Sequence, residues 1–282
     1  MLGKLMKYEW RGLRKPMLIL LAILAGTTLL TSILILSINP ENDEVVLNIS
    51  FLTTLFSVMI YYFGLIACSL GVSLAIAIRF YKTCYTDQGY LTHTLPVSTK
   101  QLVGAKTIVA CLCQLIMMIC VVLSLVILIG VFFSHMISFA DYNELNNMNH
   151  VLYEINEEFT TEFGISFTAF CAFICGFSLI SCVTSTMIIM GCVSLGQLYT
   201  KHRVLGAIIA YFLVTFVMQI AAYIGMIPFY ANITKAEIAG ETLKIFPAIM
   251  PMYLPILIVQ IILAIGMYFT NIHMMTKRLN LE

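Results

Sequence analysis

The run LTTLFSVMIYYFGLIACSLGVSLAIAI, residues 52–78, and the polar stretch RFYKTCYTDQGYLTHTLPVSTKQLVGAK, residues 79–106, together set the architecture expected of this chain. The first is continuously apolar and longer than the roughly 20 residues a helix needs to cross a hydrocarbon core. It lacks the alternation of a barrel strand, so a membrane-spanning helix is the reading. The second places Phe80, Tyr81, Cys84, Tyr85, Gln88, Leu91 and Leu95 on one side of a helical wheel, and Lys82, Thr86, Gly89, Tyr90 and His93 on the other. That spacing predicts a short amphipathic helix between two spans. It ends before Pro96, whose ring disfavours helix at Leu95, and Ser98 with Gln101 has the spacing of a capping box that starts the next helix.

Elsewhere in the chain, similar apolar runs occur near 17–38, 102–133, 165–195, 204–230 and 246–270, so six spans are expected. The composition agrees: 61% of the 282 residues are hydrophobic and 10% charged, against roughly 45–50% and about 25% in soluble domains. The expected fold class is an all-α integral membrane protein forming a single transmembrane domain over 1–282.

Basic residues set the expected orientation. Lys4, Lys7, Arg11, Arg14, Lys15, Arg79, Lys82, Lys100, Lys106, Lys201, Arg203, Lys277 and Arg278 fall on one side of the six spans, Lys235 and Lys244 on the other. The positive-inside rule then puts both termini and the 79–98 loop in the cytoplasm. The same asymmetry accounts for the basic residues without a nucleic-acid partner. The nine cysteines avoid the external loops, so no disulfide framework is expected. Cys111 and Cys113 point to different faces of a helix and read as apolar filler rather than metal ligands.

Met1 to Lys15 reads as a separate interfacial helix, with Leu2, Leu5, Met6, Trp10 and Leu13 opposite Lys4, Lys7, Arg11 and Arg14, and Pro16 turning the chain into the first span. Trp10, Arg11, Arg14 and Lys15 are its expected anchors to the membrane surface. The first span lacks a small-x-small cleavage site and reads as uncleaved. In span two, Ala67, Gly71 and Ala75 have the spacing that lets helix backbones approach. Lys106 sits two turns into its helix and reads either as snorkelling to the headgroups or as a substrate or ion residue. Gly191, Gly196 and Gln197 suggest a loosened end of span four, ahead of the basic turn Lys201-His202-Arg203.

The segment 134–162 carries Asp141, Glu144, Glu154, Glu157, Glu158 and Glu162 with no Lys or Arg. Leu145, Met148, Leu152, Ile155 and Phe159 predict an amphipathic helix within it, either a solvated cap or a funnel for cations. Pro228, Pro247, Pro251 and Pro255 predict broken or re-entrant helices, either as an external gate or as kinked packing. Tyr61, Tyr62, Gln114 and Gln219 are the candidate pathway residues; hydrogen bonding between helices explains them equally well.

No constellation of nucleophile, base or metal ligands stands at a convincing spacing, and no GxxxxGK[ST] phosphate loop is present. Not one Asp or Glu falls within the six runs, which removes the usual machinery of proton- or sodium-coupled carriers. Transport by this chain therefore needs a motor on another chain, and the 79–106 loop is the natural place to attach it.

The chain resembles the permease subunits of ABC transporters, of the six-span second export type of Gram-positive bacteria. The residues that carry the resemblance are KLMKYEWRGLRKP near the start and DQGYLTHTLPVSTKQLVGAK between spans two and three. The resemblance implies a homo- or heterodimer of permeases in the plasma membrane, powered by two cytoplasmic ATPases that hold ATP and magnesium, while this chain holds no cofactor. It implies a coupling helix over Tyr85 to His93, with Tyr85, Asp87, Gln88, Gly89, Tyr90 and His93 contacting the ATPase. Gln88 departs from the family, whose members often carry an acid there. The expected cargo is hydrophobic or amphipathic: a peptide, lipid or drug. The competing expectation is a non-transporting sensor or immunity subunit that binds an extracellular cationic peptide.

Overall fold

The computed structural model describes residues 2–37, 44–86, 88–89, 97–139, 156–157, 159–199, 201–239 and 244–277. They form six long helices: α1 (Leu2–Leu36), α2 (Glu44–Tyr85), α3 (Thr99–Phe139), α4 (Phe167–Gly196), α5 (Arg203–Ala239) and α6 (Ile245–Lys277). All six are long and apolar enough to cross a membrane, and no strand occurs among the described residues. The chain is a multi-pass membrane protein. At 1.5 Å per residue, the 42 residues of α2 extend about 63 Å, twice the roughly 30 Å of a hydrocarbon core. The expected spans 52–78 and 102–133 therefore lie inside longer helices, whereas 165–195 nearly coincides with α4.

The chain divides into two compact units, Met1–Arg79 with Ile108–Asn146, and Phe80–Thr107 with Asn147–Glu282. The helices α2 and α3 belong to the first unit along most of their length and to the second at the ends that flank their connection.

In the first unit α1 and α2 run antiparallel in close register. Thr31 donates to the Ser57 carbonyl at 3.2 Å and Thr54 to the Leu34 carbonyl at 3.2 Å, and the Cys68 thiol lies 3.4 Å from the Leu20 carbonyl. Along the same seam Gly64 faces Thr27, and Gly71 faces Leu20 so closely that a side chain on Gly71 would meet Leu20 at 2.7 Å. Of the predicted small-residue stripe, only Gly71 reaches that contact; Ala67 is exposed. The helix pair continues to Glu9 and Arg79, which form an ion pair at 3.2 Å.

This register explains why α1 has no turn at Pro16. The separate interfacial helix expected over 1–16 is instead the first part of one 35-residue helix. Pro16 removes the N–H that would bond the Gly12 carbonyl, but the segment on both sides is held against α2. Leu13 and Met17 are buried, and the Arg79 guanidinium lies against Gly12.

In the second unit α4, α5 and α6 pack on one another. The helices α4 and α6 run parallel, and their paired residues are 76 to 79 positions apart throughout. Phe170 meets Phe246, Phe177 meets Tyr253, Ser181 bonds Gln260, Gly191 meets Met267 and Ser194 bonds Asn271. Gly225 of α5 approaches the Met252 backbone of α6, where a Cβ would sit 2.6 Å from the carbonyl oxygen.

The proline-rich region is not broken. The helix α5 runs through Pro228, and α6 runs through Pro251 and Pro255. Pro247 stands in the first turn of α6, where the N–H has no helical partner in any case. Proline packing, rather than a re-entrant gate, is the outcome.

The end of α4 is not loose either. A Cβ on Gly191 would collide with Met267 Cβ, and one on Gly196 would stand 2.5 Å from the Ala207 nitrogen. These glycines serve close helix approach, not flexibility.

Candidate functional site

A set of buried polar side chains lies where the ends of α2, α3, α4 and α6 meet inside the second unit. At the end of α2, Phe80, Thr83, Cys84 and Tyr85 are all buried. The first turns of α3 supply Leu102, Val103, Lys106 and Thr107; α4 supplies Met190, Cys192 and Ser194; α6 supplies Asn271, Met274 and Met275. Polar groups placed here have no water to bond and must satisfy one another.

They do so in one chain of bonds across three helices and in two further pairs. The Ser194 hydroxyl donates to Asn271 Oδ1, linking α4 to α6. Its oxygen lies 2.7 Å from the Tyr85 hydroxyl. A serine hydroxyl carries one proton, and Asn271 Oδ1 can only accept, so Tyr85 is the donor. The order is Tyr85 to Ser194 to Asn271, and the end of α2 is thereby tied to both α4 and α6. Phe80 packs edge-on against Tyr85, with ring centroids 6.1 Å apart. Beside this, Lys106 Nζ donates to Thr83 Oγ1 at 2.6 Å, and Thr107 Oγ1 lies 3.6 Å from Met190 Sδ.

Lys106 therefore does not snorkel. Its residue exposure is 4%, because α2 continues to Tyr85 alongside the first turns of α3 and covers it. An ammonium in such a place is costly, by several kcal/mol before compensation, and the short bond to Thr83 is part of what offsets that.

The residues expected at a partner interface divide into three groups. Tyr85 faces inward and is 3% exposed, so its hydroxyl acts within the chain. Gln88 is exposed, and Gly89 is buried with its N–H donating to the Thr86 carbonyl at 2.6 Å. Asp87, Tyr90 and His93 lie outside the described residues. The predicted amphipathic helix does not begin as a separate element, because Phe80 to Tyr85 is the last turn of α2. The predicted faces also change places at two positions: Gly89 is inside and Gln88 outside.

Trp10, Arg11, Arg14 and Lys15 are all exposed on α1, as groups that meet headgroups must be. Of the candidate pathway residues, Tyr61 is buried and shares a 2.8 Å bond with Ser124. Tyr62 is 59% exposed. Gln114 lies in the first unit, with its buried Oε1 accepting no hydrogen bond among the described residues. Gln219 is exposed on α5 of the second unit. Most of the acidic 134–162 segment, including Asp141, Glu144, Glu154 and Glu158, lies outside the described residues; Glu157 and Glu162 are exposed.

Sequence reasoning missed Ser194, Asn271 and Thr83. A signal existed for Asn271, an amide just beyond an apolar run of 25 residues, but single hydroxyls such as Ser194 are too common in spans to mark a site. Among the described residues no group of three His, Cys, Asp or Glu stands close enough to hold a metal ion. Within the buried cluster, Ser194 bonds an amide and a phenol. The chain matches no protein-family model, no curated protein and no solved structure.

Proposed function

We propose that this chain is the transmembrane permease subunit of an ATP-driven ABC exporter, moving a hydrophobic or amphipathic cargo such as a peptide, lipid or drug. The observation that carries the reading is the Tyr85–Ser194–Asn271 chain of hydrogen bonds. It gives the α2–α3 connection a hold on α4 and, through Ser194, on α6, so a push on the connection is delivered to all three helices.

In this reading the 79–98 connection faces the cytoplasm, as the distribution of Lys and Arg favours. Separate ATPases, which bind the ATP and magnesium, press on it through Gln88 and the neighbouring Asp87, Tyr90 and His93. The residues beneath, from Phe80 to Tyr85, pass the displacement inward. Two such chains, identical or different, enclose the cargo between them and alternate its access. The chain itself carries no phosphate loop and is not the enzyme of the complex.

The test is reconstitution of the purified chain in vesicles with an ATPase that copurifies with it. Gly89→Pro removes the N–H that bonds Thr86 while leaving the spans untouched. The expected result is ATP hydrolysis that no longer drives transport, with membrane insertion unchanged. Normal coupling in this variant would overturn the reading. A response to an extracellular cationic peptide with no ATPase attached would point instead to a sensor or immunity subunit.

A further inference from the structure

The second unit has an apolar groove at the start of α6, of about 650 Å³, lined by Ile165, Phe246, Met250, Pro251, Leu254 and Pro255 among others. That is within the roughly 300–1,000 Å³ of ligand sites. We propose that it holds one acyl chain of an anionic phospholipid, with the headgroup on Lys244.

The groove is built to stay open. Pro247, Pro251 and Pro255 recur every four residues on one face of α6, and their rings have no rotamer by which to fold into the space. Phe246 is fixed from behind by Phe170 and Phe173, with ring centroids 6.3 and 5.3 Å away. Phe173 and Phe177 in turn pack on Tyr253, at 5.9 and 5.3 Å. Every side chain in the lining is hydrocarbon or thioether, so water gains nothing by entering.

Length and charge choose the occupant. From Lys244 to Pro255 the chain rises about 16 Å at 1.5 Å per residue, half of a hydrocarbon core of about 30 Å. The groove thus spans one leaflet, the reach of a single acyl chain. At its mouth the stem of Lys244 lies along Gly164, whose positive φ of 76° turns the backbone there and whose missing side chain leaves the room: a Cβ would meet Lys244 Cδ at 3.0 Å. Gly164 adjoins the lining residue Ile165, and Lys244 directly precedes α6. Lys244 is exposed, and among the described residues its ammonium has no carboxylate partner. A cation at the membrane end of a one-leaflet apolar slot complements a phosphate above an acyl chain.

Lipid binding in this groove does not depend on transport by the chain. Its test uses the full chain in vesicles of phosphatidylcholine containing a small share of either phosphatidylglycerol or phosphatidylcholine with a photoactivatable acyl chain, the adducts being mapped by mass spectrometry. The expected result is labelling at Phe246–Leu254, about fivefold stronger with phosphatidylglycerol, the factor for one lysine beside an anionic lipid. Lys244→Glu should abolish that preference, and Leu254→Trp should remove the labelling by filling the slot. Should Leu254→Trp fail to fold, Lys244→Glu decides, since that side chain is exposed. Equal labelling of the exposed α5 face at Phe212 and Phe216, or a preference unchanged by Lys244→Glu, would overturn the proposal. So would displacement of label by an amphipathic peptide but not by added phosphatidylglycerol.

Discussion

Ser194 on α4 gives its one hydroxyl proton to Asn271 on α6, and this leaves its oxygen only the role of acceptor toward Tyr85. The two bonds therefore differ in what their loss leaves behind. Tyr85→Phe leaves Ser194 still donating to Asn271 and costs about 0.5–1.5 kcal/mol, the net worth of an ordinary hydrogen bond. Asn271→Leu leaves a buried hydroxyl with no acceptor and costs about 1–3 kcal/mol. Unfolding of each purified variant in mild detergent measures the order, and a double-mutant cycle measures their coupling. A larger loss for Tyr85→Phe than for Asn271→Leu would contradict the proton order.

Lys106 and Thr83 make the opposite kind of pair, in which one member is costly to bury. Lys106→Met removes the charge and keeps most of the volume, so the melting temperature should stay level or rise. Thr83→Val takes away a partner and keeps the charge, so stability should fall by about 1–3 kcal/mol. In the double variant the loss should largely disappear. A strongly destabilised Lys106→Met would show that the ammonium contributes to the fold beyond its bond to Thr83.

Two glycines of α4 separate packing from propensity. Gly191→Ala would drive a methyl into Met267 Cβ, whereas Gly176→Ala meets nothing within 4 Å. Overpacking typically costs about 1–3 kcal/mol, while alanine in an open helical position gains about 0.5–1 kcal/mol over glycine. Thermal unfolding should therefore move down for Gly191→Ala and slightly up for Gly176→Ala. Equal shifts in the two would contradict the α4–α6 contact.

Gly12→Ala tests the pair at the start of α1. Its methyl would overlap the Arg79 guanidinium at Cζ, and the flexible Arg79 side chain should swing away from Glu9. Both charged groups are partly open to solvent, so the stability change should stay under about 1 kcal/mol. Cysteine crosslinking between Cys68 and a Leu20→Cys variant, which keeps Glu9 and Arg79 in place, should be nearly unaffected, because the backbone of the helix pair stays in place. A large loss of crosslinking would mean that the ion pair, not the apolar register from Leu13 onward, aligns these segments.

The six helices were legible in the sequence because apolar runs that exceed a bilayer's thickness leave few other readings. Their ends were not, because Phe80 to Tyr85 and Leu2 to Lys15 carry charges on the side that packing leaves open. A helix held along one face continues past the point where its composition turns polar. Pro16, Pro228, Pro251 and Pro255 misled in a related way. Each breaks one hydrogen bond, and contacts with a neighbouring helix keep the rest. At the candidate site the sequence marked the connection through Gln88 and Gly89, but it could not pair Tyr85 with Ser194, 109 residues away, or Lys106 with Thr83. Which hydroxyl meets which amide depends on helix register, and no local pattern records that.

The shared register of α4 and α6 limits how this part of the molecule can move. A slip of one helical turn, about 5.4 Å, would set Ser194 opposite Met275 and the Met267 side chain opposite Met187 instead of Gly191. The first change strands a buried hydroxyl and the second drives two long side chains into a gap sized for a hydrogen atom. Sliding is thus blocked at both positions together, so α4 and α6 travel as a single strut. Any opening in this unit must come from tilting that strut as a whole.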